Sequence, residues 1–192
     1  MKLILSVAPA EEPVSLAEAK LHLRVDDTAD DDLITALIVA ARQRFESVTW
    51  RSLITQTLVL TLDEWPDDNC IKLPRPPLVS VSSVQYTDED GNTSTFSSSN
   101  YLVSTAGEPG AIVLKSNADW PTATLQTVDG VSVTYVAGYG GTEDVPQIIK
   151  QALLMLVAHW YENREEIVVA AGFTAAKVPL GAQSIIEMLK VR

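Results

Sequence analysis

The chain has 192 residues and carries 25 Asp and Glu against 14 Lys and Arg, a net charge of −11. Duplex DNA is gripped through Lys and Arg neutralising phosphates, so this balance argues against a DNA-binding protein. A hydrophobic share of 46% with only 20% charged residues excludes a disordered chain, and the length suits one domain, or one domain with a sizeable insertion.

The first ten residues, MKLILSVAPA, hold a short apolar run that Pro9, Glu11 and Glu12 end at once. They read as an ordered arm or edge strand rather than a signal sequence. No stretch reaches the roughly 20 apolar residues that span a bilayer, so no membrane partner is expected. Ser15 and Glu18 form an S-x-x-E capping box with Val14 as its hydrophobic staple, which predicts a helix over Leu16–Leu23. A second start lies at Thr28–Asp32. Leu33, Ile34, Leu37, Ile38, Ala41, Phe45 and Val48 then recur at spacings of three and four, predicting about five helical turns that end near Trp50.

The period changes in the middle third. Thr55–Leu62 and Val79–Tyr86 alternate, and Asp88-Glu89-Asp90-Gly91-Asn92 supplies a turn back into Thr93–Phe96. Further short strands are predicted at Tyr101–Val103, Ala111–Leu114 and Val131–Val136. Residues 55–137 therefore read as a small antiparallel sheet or sandwich inserted between helical parts at 14–50 and 146–190. Pro146, with Glu143 and Asp144 just before it, opens a helix whose stripe is Ile149, Ala152, Leu153, Leu156, Val157 and Trp160. A final short helix is predicted at about Ala182–Leu189. The expected fold class is α+β, a mainly helical bundle of about four helices with an inserted β domain, forming a single domain over residues 1–192.

Charge is uneven along the chain. Residues 1–50 carry 5 basic and 9 acidic side chains, residues 51–145 carry 4 and 12, and residues 146–192 carry 5 and 4. The two ends of the sequence are thus expected to meet different surroundings.

Four constellations are weighed for chemistry. Asp26, Asp27, Asp30, Asp31 and Asp32 offer oxygen ligands for a hard cation, but they lack the glycine and distal glutamate of a calcium loop. Acids placed at a helix N-terminus are the favoured explanation. Ala137-Gly138-Tyr139-Gly140-Gly141-Thr142 lacks the Lys-Ser/Thr of a phosphate cradle and reads as a tight strand-to-helix connection. His159 with Glu162 or Glu165 lacks the second histidine of a helical metal site, and no serine lies in a nucleophile elbow. Trp65 and Trp120 are weighed as a sugar-stacking platform and favoured as loop pins. The single Cys70 can form no internal disulfide, and no Cys/His set makes a zinc site. No catalytic residue, metal site or cofactor is assigned. The alternatives kept open are a metal-assisted hydrolase and a carbohydrate-binding module.

Several strings together carry a resemblance. They are Leu16-Ala17-Glu18-Ala19-Lys20 with His22-Leu23-Arg24-Val25; Asp31-Asp32-Leu33-Ile34; Ala40-Ala41-Arg42 with Glu46, Thr49 and Arg51; Gln56-Thr57; Leu62-Asp63-Glu64-Trp65-Pro66; Ala137-Gly138-Tyr139-Gly140 before Val145-Pro146; and His159-Trp160-Tyr161-Glu162-Asn163-Arg164-Glu165. In this order, over residues 14 to 190, the chain resembles the head–tail connector (adaptor, or head-completion) proteins of long-tailed bacteriophages, prophages and gene transfer agents.

The resemblance implies a structural virion protein. It would form a ring under the portal at the head–tail junction, extend the DNA channel and offer a landing surface for a stopper or tail-completion protein. A dodecameric ring in the virion is implied, while isolated subunits can stay monomeric in the host cytoplasm before assembly. DNA would pass without specific binding, as an acidic wall favours. Residues 167–192 are implied to dock on the portal. The residues implied as portal-facing or inter-subunit contacts are Phe173, Val178, Pro179, Leu180, Ile185, Ile186, Met188 and Leu189, with Arg164 and Glu165 as inter-subunit ion pairs.

Overall fold

The structure, a computed structural model, describes residues 1–163 and 180–191. It divides into two compact units that share the chain about equally: residues 1–10 with 54–139, and residues 11–53 with 140–192.

The first unit is built of strands: β1 (Lys2–Val7), β2 (Gln56–Leu62), β3 (Cys70–Leu73), β4 (Leu78–Thr87), β5 (Thr93–Thr95), β6 (Tyr101–Ser104), β7 (Gly110–Leu114) and β8 (Val131–Ala137). They form a five-stranded sheet in the order β1-β2-β8-β4-β5 and a three-stranded sheet in the order β3-β7-β6. Every neighbouring pair is antiparallel.

Alternation dictates what each strand buries. Leu58 and Leu60 of β2 and Val133, Tyr135 and Ala137 of β8 turn into one core with Ile71, Leu73, Val84, Ile112 and Leu114. Thr57 and Val59, and Ser132, Thr134 and Val136, take the opposite face and stay half-buried. Tyr135 is fully buried, and its hydroxyl donates to the Pro74 carbonyl at 2.7 Å. Burial pushes its phenol well above the ordinary range.

The second unit is helical. Helix α1 (Leu16–Leu23) begins at the predicted capping box: the Glu18 amide donates to Ser15 Oγ at 3.2 Å, and the Ser15 amide donates to Glu18 Oε2 at 2.8 Å. Helix α2 spans Asp31–Thr49, α3 Gln147–Glu162 and α4 Leu180–Met188. Ile34, Ile38, Ala41 and Phe45 of α2 meet Ile149, Ala152, Leu153, Leu156 and Val157 of α3 in a buried core, which Ala182 and Ile186 of α4 complete.

The α+β class is observed, but helical predominance is not, because the strands form two sheets and a unit as large as the helical one. Three further differences have local causes. Strand β3 escaped the sequence reading because CIKL is only four residues long and ends against Pro74. Strand β1 joins the sheet through β2, so the β unit draws on more than residues 55–137. Pro146 caps α3 rather than opening it, and Glu143 and Asp144 sit in a separate 3₁₀ turn, Thr142–Asp144.

Candidate assembly surfaces

The helical unit holds a buried ionic network on the core stripe of α2. Arg42 is 8% exposed and Glu46, one turn later, 4%. The guanidinium grips Glu12 bidentately, Nε to Oε2 at 2.7 Å and Nη2 to Oε1 at 3.0 Å. Nη1 reaches Glu46 Oε2 at 3.3 Å, and Glu46 Oε1 accepts the Leu53 amide at 2.8 Å. Burial opposes the Arg42 charge, but the bonds to Glu12 and the two carboxylate charges prevail and hold its pKa above the ordinary value. Thr49 Oγ1 donates to the Phe45 carbonyl, and Arg51 Nε donates to the Leu189 carbonyl at 2.7 Å. The Val191 amide then bonds the Thr49 carbonyl. The end of the described chain is therefore fastened to the end of α2.

That fastening bears on the implied docking residues. Ile186 is turned inward and 5% exposed, while Ile185 and Leu189 are half-buried. Leu180 and Met188 are the outward members of α4, 79% and 64% exposed. Arg164, Glu165, Phe173, Val178 and Pro179 lie outside the described residues, as does most of the segment 167–192 up to α4.

The aspartate cluster is absorbed locally. Asp31 accepts from Lys20 Nζ at 2.6 Å, Asp27 Oδ1 from the Ala29 amide, and Asp30 Oδ2 from the Tyr161 hydroxyl at 2.6 Å. Asp31 and Asp32 occupy the first turn of α2, where the helix dipole favours acids. Among the described residues no group of three or more His, Cys, Asp or Glu is arranged to hold a metal ion. His159 sits beside Asn163, whose side-chain amide donates to the His159 carbonyl at 2.8 Å.

The glycines of the 137–142 connection do what a tight turn requires. Gly138 has φ of 134° and Gly140 138°. A Cβ on Gly138 would stand 2.5 Å from the Ile54 carbonyl oxygen. Trp65 and Trp120 do not form an open platform. Their rings stack on each other, 4.8 Å apart and 10° from parallel, against Tyr86 and Phe96. Trp120 Nε1 donates to the Asp68 carbonyl, pinning that loop to the β core.

The β unit exposes apolar side chains at an edge of its larger sheet. Ile4, Leu5 and Val7 of β1 are 52%, 51% and 57% exposed. Residues 1–10, read from sequence as an ordered arm or edge strand, do supply an edge strand, β1. Arg42 and Glu46 enter the sequence reasoning only as carriers of the resemblance; their buried network and the exposed side chains of β1 are what it missed. The i,i+4 pair Arg42–Glu46 falls on the same helical face as Ile38 and Phe45, and this was the available signal.

The fold and these surfaces can be compared with known proteins. The family model for "Head completion protein" matches residues 13–190. The chain belongs to the head completion protein family. Three chains in solved structures share its fold. One comes from the neck of an empty gene transfer agent particle reconstructed with C6 symmetry, with a TM-score of 0.82 and 24% identity over 100% of this chain and 96% of that one. A second, from the virion of a native gene transfer agent particle, matches with a TM-score of 0.82 and 23% identity over the same shares. A third, from the neck of the native particle with C12 symmetry, has a TM-score of 0.77 and 23% identity, again over 100% and 96%. No curated protein matches the chain.

Within this head completion protein, the strings that carried the resemblance are largely scaffold. Arg42, Glu46, Thr49, Arg51 and Gln56 are all buried, Ser15 and Glu18 cap a helix, and Gly138 closes a turn. The outward members of β1 and α4 are among the exposed apolar side chains, with Leu21, Leu102 and Val128 elsewhere.

Proposed function

We propose that this protein is a structural subunit of the neck of a phage or phage-derived particle, a ring-forming adaptor between the portal and the next neck or tail component. The observation that carries this reading is the match of almost the whole chain to the head completion family, joined to full-length likeness with chains from gene transfer agent necks of C6 and C12 symmetry. The ring extends the DNA channel, its virion copy number is twelve, and its lower face receives a stopper or tail-completion protein. A net charge of −11 suits a wall past which DNA slides, since acidic groups repel phosphate.

The portal-facing surface includes the outer side of α4, through Leu180 and Met188. Apolar side chains this exposed on a short helix suit the charge-poor centre of a protein interface. The test is the mass of the protein, alone and mixed with the portal ring of the same particle, by light scattering after gel filtration. A complex of portal plus a ring of this chain is expected. A chain that remains apart from the portal at micromolar concentrations of both overturns the reading.

A further inference from the structure

We infer that the free edge of β1 is a subunit–subunit contact, pairing with the β5 edge of the neighbouring copy so that the five-stranded sheet continues from one subunit to the next. This inference rests on the ring reading above and names which strands join the copies.

The sheet order β1-β2-β8-β4-β5 leaves two edges, and among the described residues no strand pairs with the outer side of either. An apolar edge strand is a template for another strand, and proteins that leave one bare usually blunt it with charge, proline or a bulge. From Lys2 to Leu5, β1 has no such protection beyond Lys2. Its register with β2 shifts only between Leu5 and Val7. Ile4 and Leu5 are about half exposed on opposite faces of this edge.

The occupant is a second copy, for reasons of symmetry and charge. A cyclic ring of identical chains needs two different surfaces on each subunit, one complementary to the other. The two edges of one sheet supply such a pair. Copies that each carry −11 repel one another, so strands that themselves bear no acid are the favoured contacts. β1 carries one lysine and no acid, and β5, Thr93-Ser94-Thr95, carries no charge.

The polarity also matches. The ladders place Lys2, Thr61, Ser132, Gln85 and Thr95 in one row across the sheet. The end of the sheet where β1 begins is thus the end where β5 begins. A neighbour's β1, added parallel to β5 and slid by two residues, sets Lys2 beside Thr93 and Ile4 beside Thr95. A two-residue slide keeps each side chain on its own face. It also brings Lys2, whose Nζ is already held by Asp129 of its own subunit at 2.9 Å, next to the Asp88–Asn92 turn, where Glu89 and Asp90 are exposed. Asp88 itself is occupied within the turn by the Asp90 and Asn92 amides. The overlap is only three to four residues, so this contact is one part of the interface and other surfaces must add to it.

The test uses the full chain in the portal-assembled state. Ile4→Cys and Thr95→Cys are combined with Cys70→Ser. Adjacent strands lie about 4.8 Å apart, within the reach of a disulfide. Oxidation of the assembled ring is expected to give a ladder of covalent multimers on a non-reducing gel. The unmodified protein provides a second readout: hydrogen exchange at residues 2–5 and 93–95 is expected to slow at least tenfold on assembly. A ring-mass complex with neither ladder nor slowed exchange overturns the strand contact and leaves the ring standing. A ladder that stops at dimer also overturns it, because β1 would then meet its own counterpart. Failure to reach ring mass at all overturns the ring reading, and this inference with it.

Discussion

Removing the Arg42 guanidinium should expose how much the helical unit depends on its buried charges. Arg42→Met keeps the length and apolar stem but deletes the cation. Glu12, with its side chain 26% exposed, can turn to water. Glu46 cannot, since its side chain is 5% exposed and its other oxygen is held by the Leu53 amide. Breaking a buried pair from one side costs about 3–5 kcal/mol. Because Glu12 recovers solvent, the lower figure applies, about 3 kcal/mol. With a urea slope of about 1–3 kcal/mol/M, that moves the unfolding midpoint down by at least about 1 M. Adding Glu46→Gln should restore most of the loss, because a neutral amide can still accept from Leu53 and no longer needs a cation. The assay is urea unfolding followed by circular dichroism and by tryptophan fluorescence. Coincidence of the two probes first checks that the two units unfold together. A single variant costing under about 1 kcal/mol, or a double variant costing the sum of the singles, would refute the reasoning, since coupled residues must be non-additive.

Other outcomes follow from single contacts. Tyr135→Phe removes the 2.7 Å bond to Pro74 and leaves that carbonyl without its hydroxyl donor, so thermal or urea unfolding should show a loss of about 1–2 kcal/mol; an unchanged midpoint would show that the hydroxyl contributes nothing. Gly138→Ala forces a Cβ onto the Ile54 carbonyl at a φ of 134°, so a loss above about 1–3 kcal/mol is expected, and a soluble variant of native stability would contradict the geometry. Glu18 is held below its ordinary value of 4.5, first by the Ser15 amide and then by the Ser15 hydroxyl and the charge of Lys150. A depressed folded pKa contributes stability that is present above 4.5 and lost as pH falls through the folded value. Glu18→Gln should therefore flatten the acid limb of a stability–pH curve below 4.5, and an acid limb identical to that of the native chain would count against it. Leu180→Asp with Met188→Asp should leave stability within about 0.5 kcal/mol, as both side chains are exposed, yet abolish portal binding in the light-scattering assay; retained binding would remove α4 from the portal surface.

What the sequence makes legible here is whatever rests on local chemistry. The capping box at Ser15 and Glu18 works through atoms three residues apart, so α1 could be placed to the residue. The 3.6-residue stripe of α2 and the alternation of β2, β4 and β8 are likewise properties of short windows. Strand β1 shows where this ends. Its six residues hold no alternation, because only Leu3 is partly covered by the core and the rest are exposed, and pairing with β2, more than fifty residues away, makes them a strand. β3 is similar: four residues become a strand because β7 lies beside them. The assignment of a mainly helical protein failed for the same reason, since helices announce themselves locally and sheets are assembled from distant pieces.

The assembly surfaces follow the same division. Leu180, Ile185, Ile186, Met188 and Leu189 all look equally apolar in sequence, but only tertiary packing decides that Ile186 belongs to the subunit's own core and Leu180 and Met188 to its exterior. Ile4 and Leu5 present the reverse case: an apolar run that sequence reading leaves as an arm or an edge strand is held at a sheet edge, half exposed, by the β2 ladder. Burying such side chains contributes roughly 25 cal/mol for each Å² of apolar surface removed from water. A subunit that leaves them outside has forgone that stabilisation alone. The gain becomes available only on association, as expected of a part that completes its packing in an assembly.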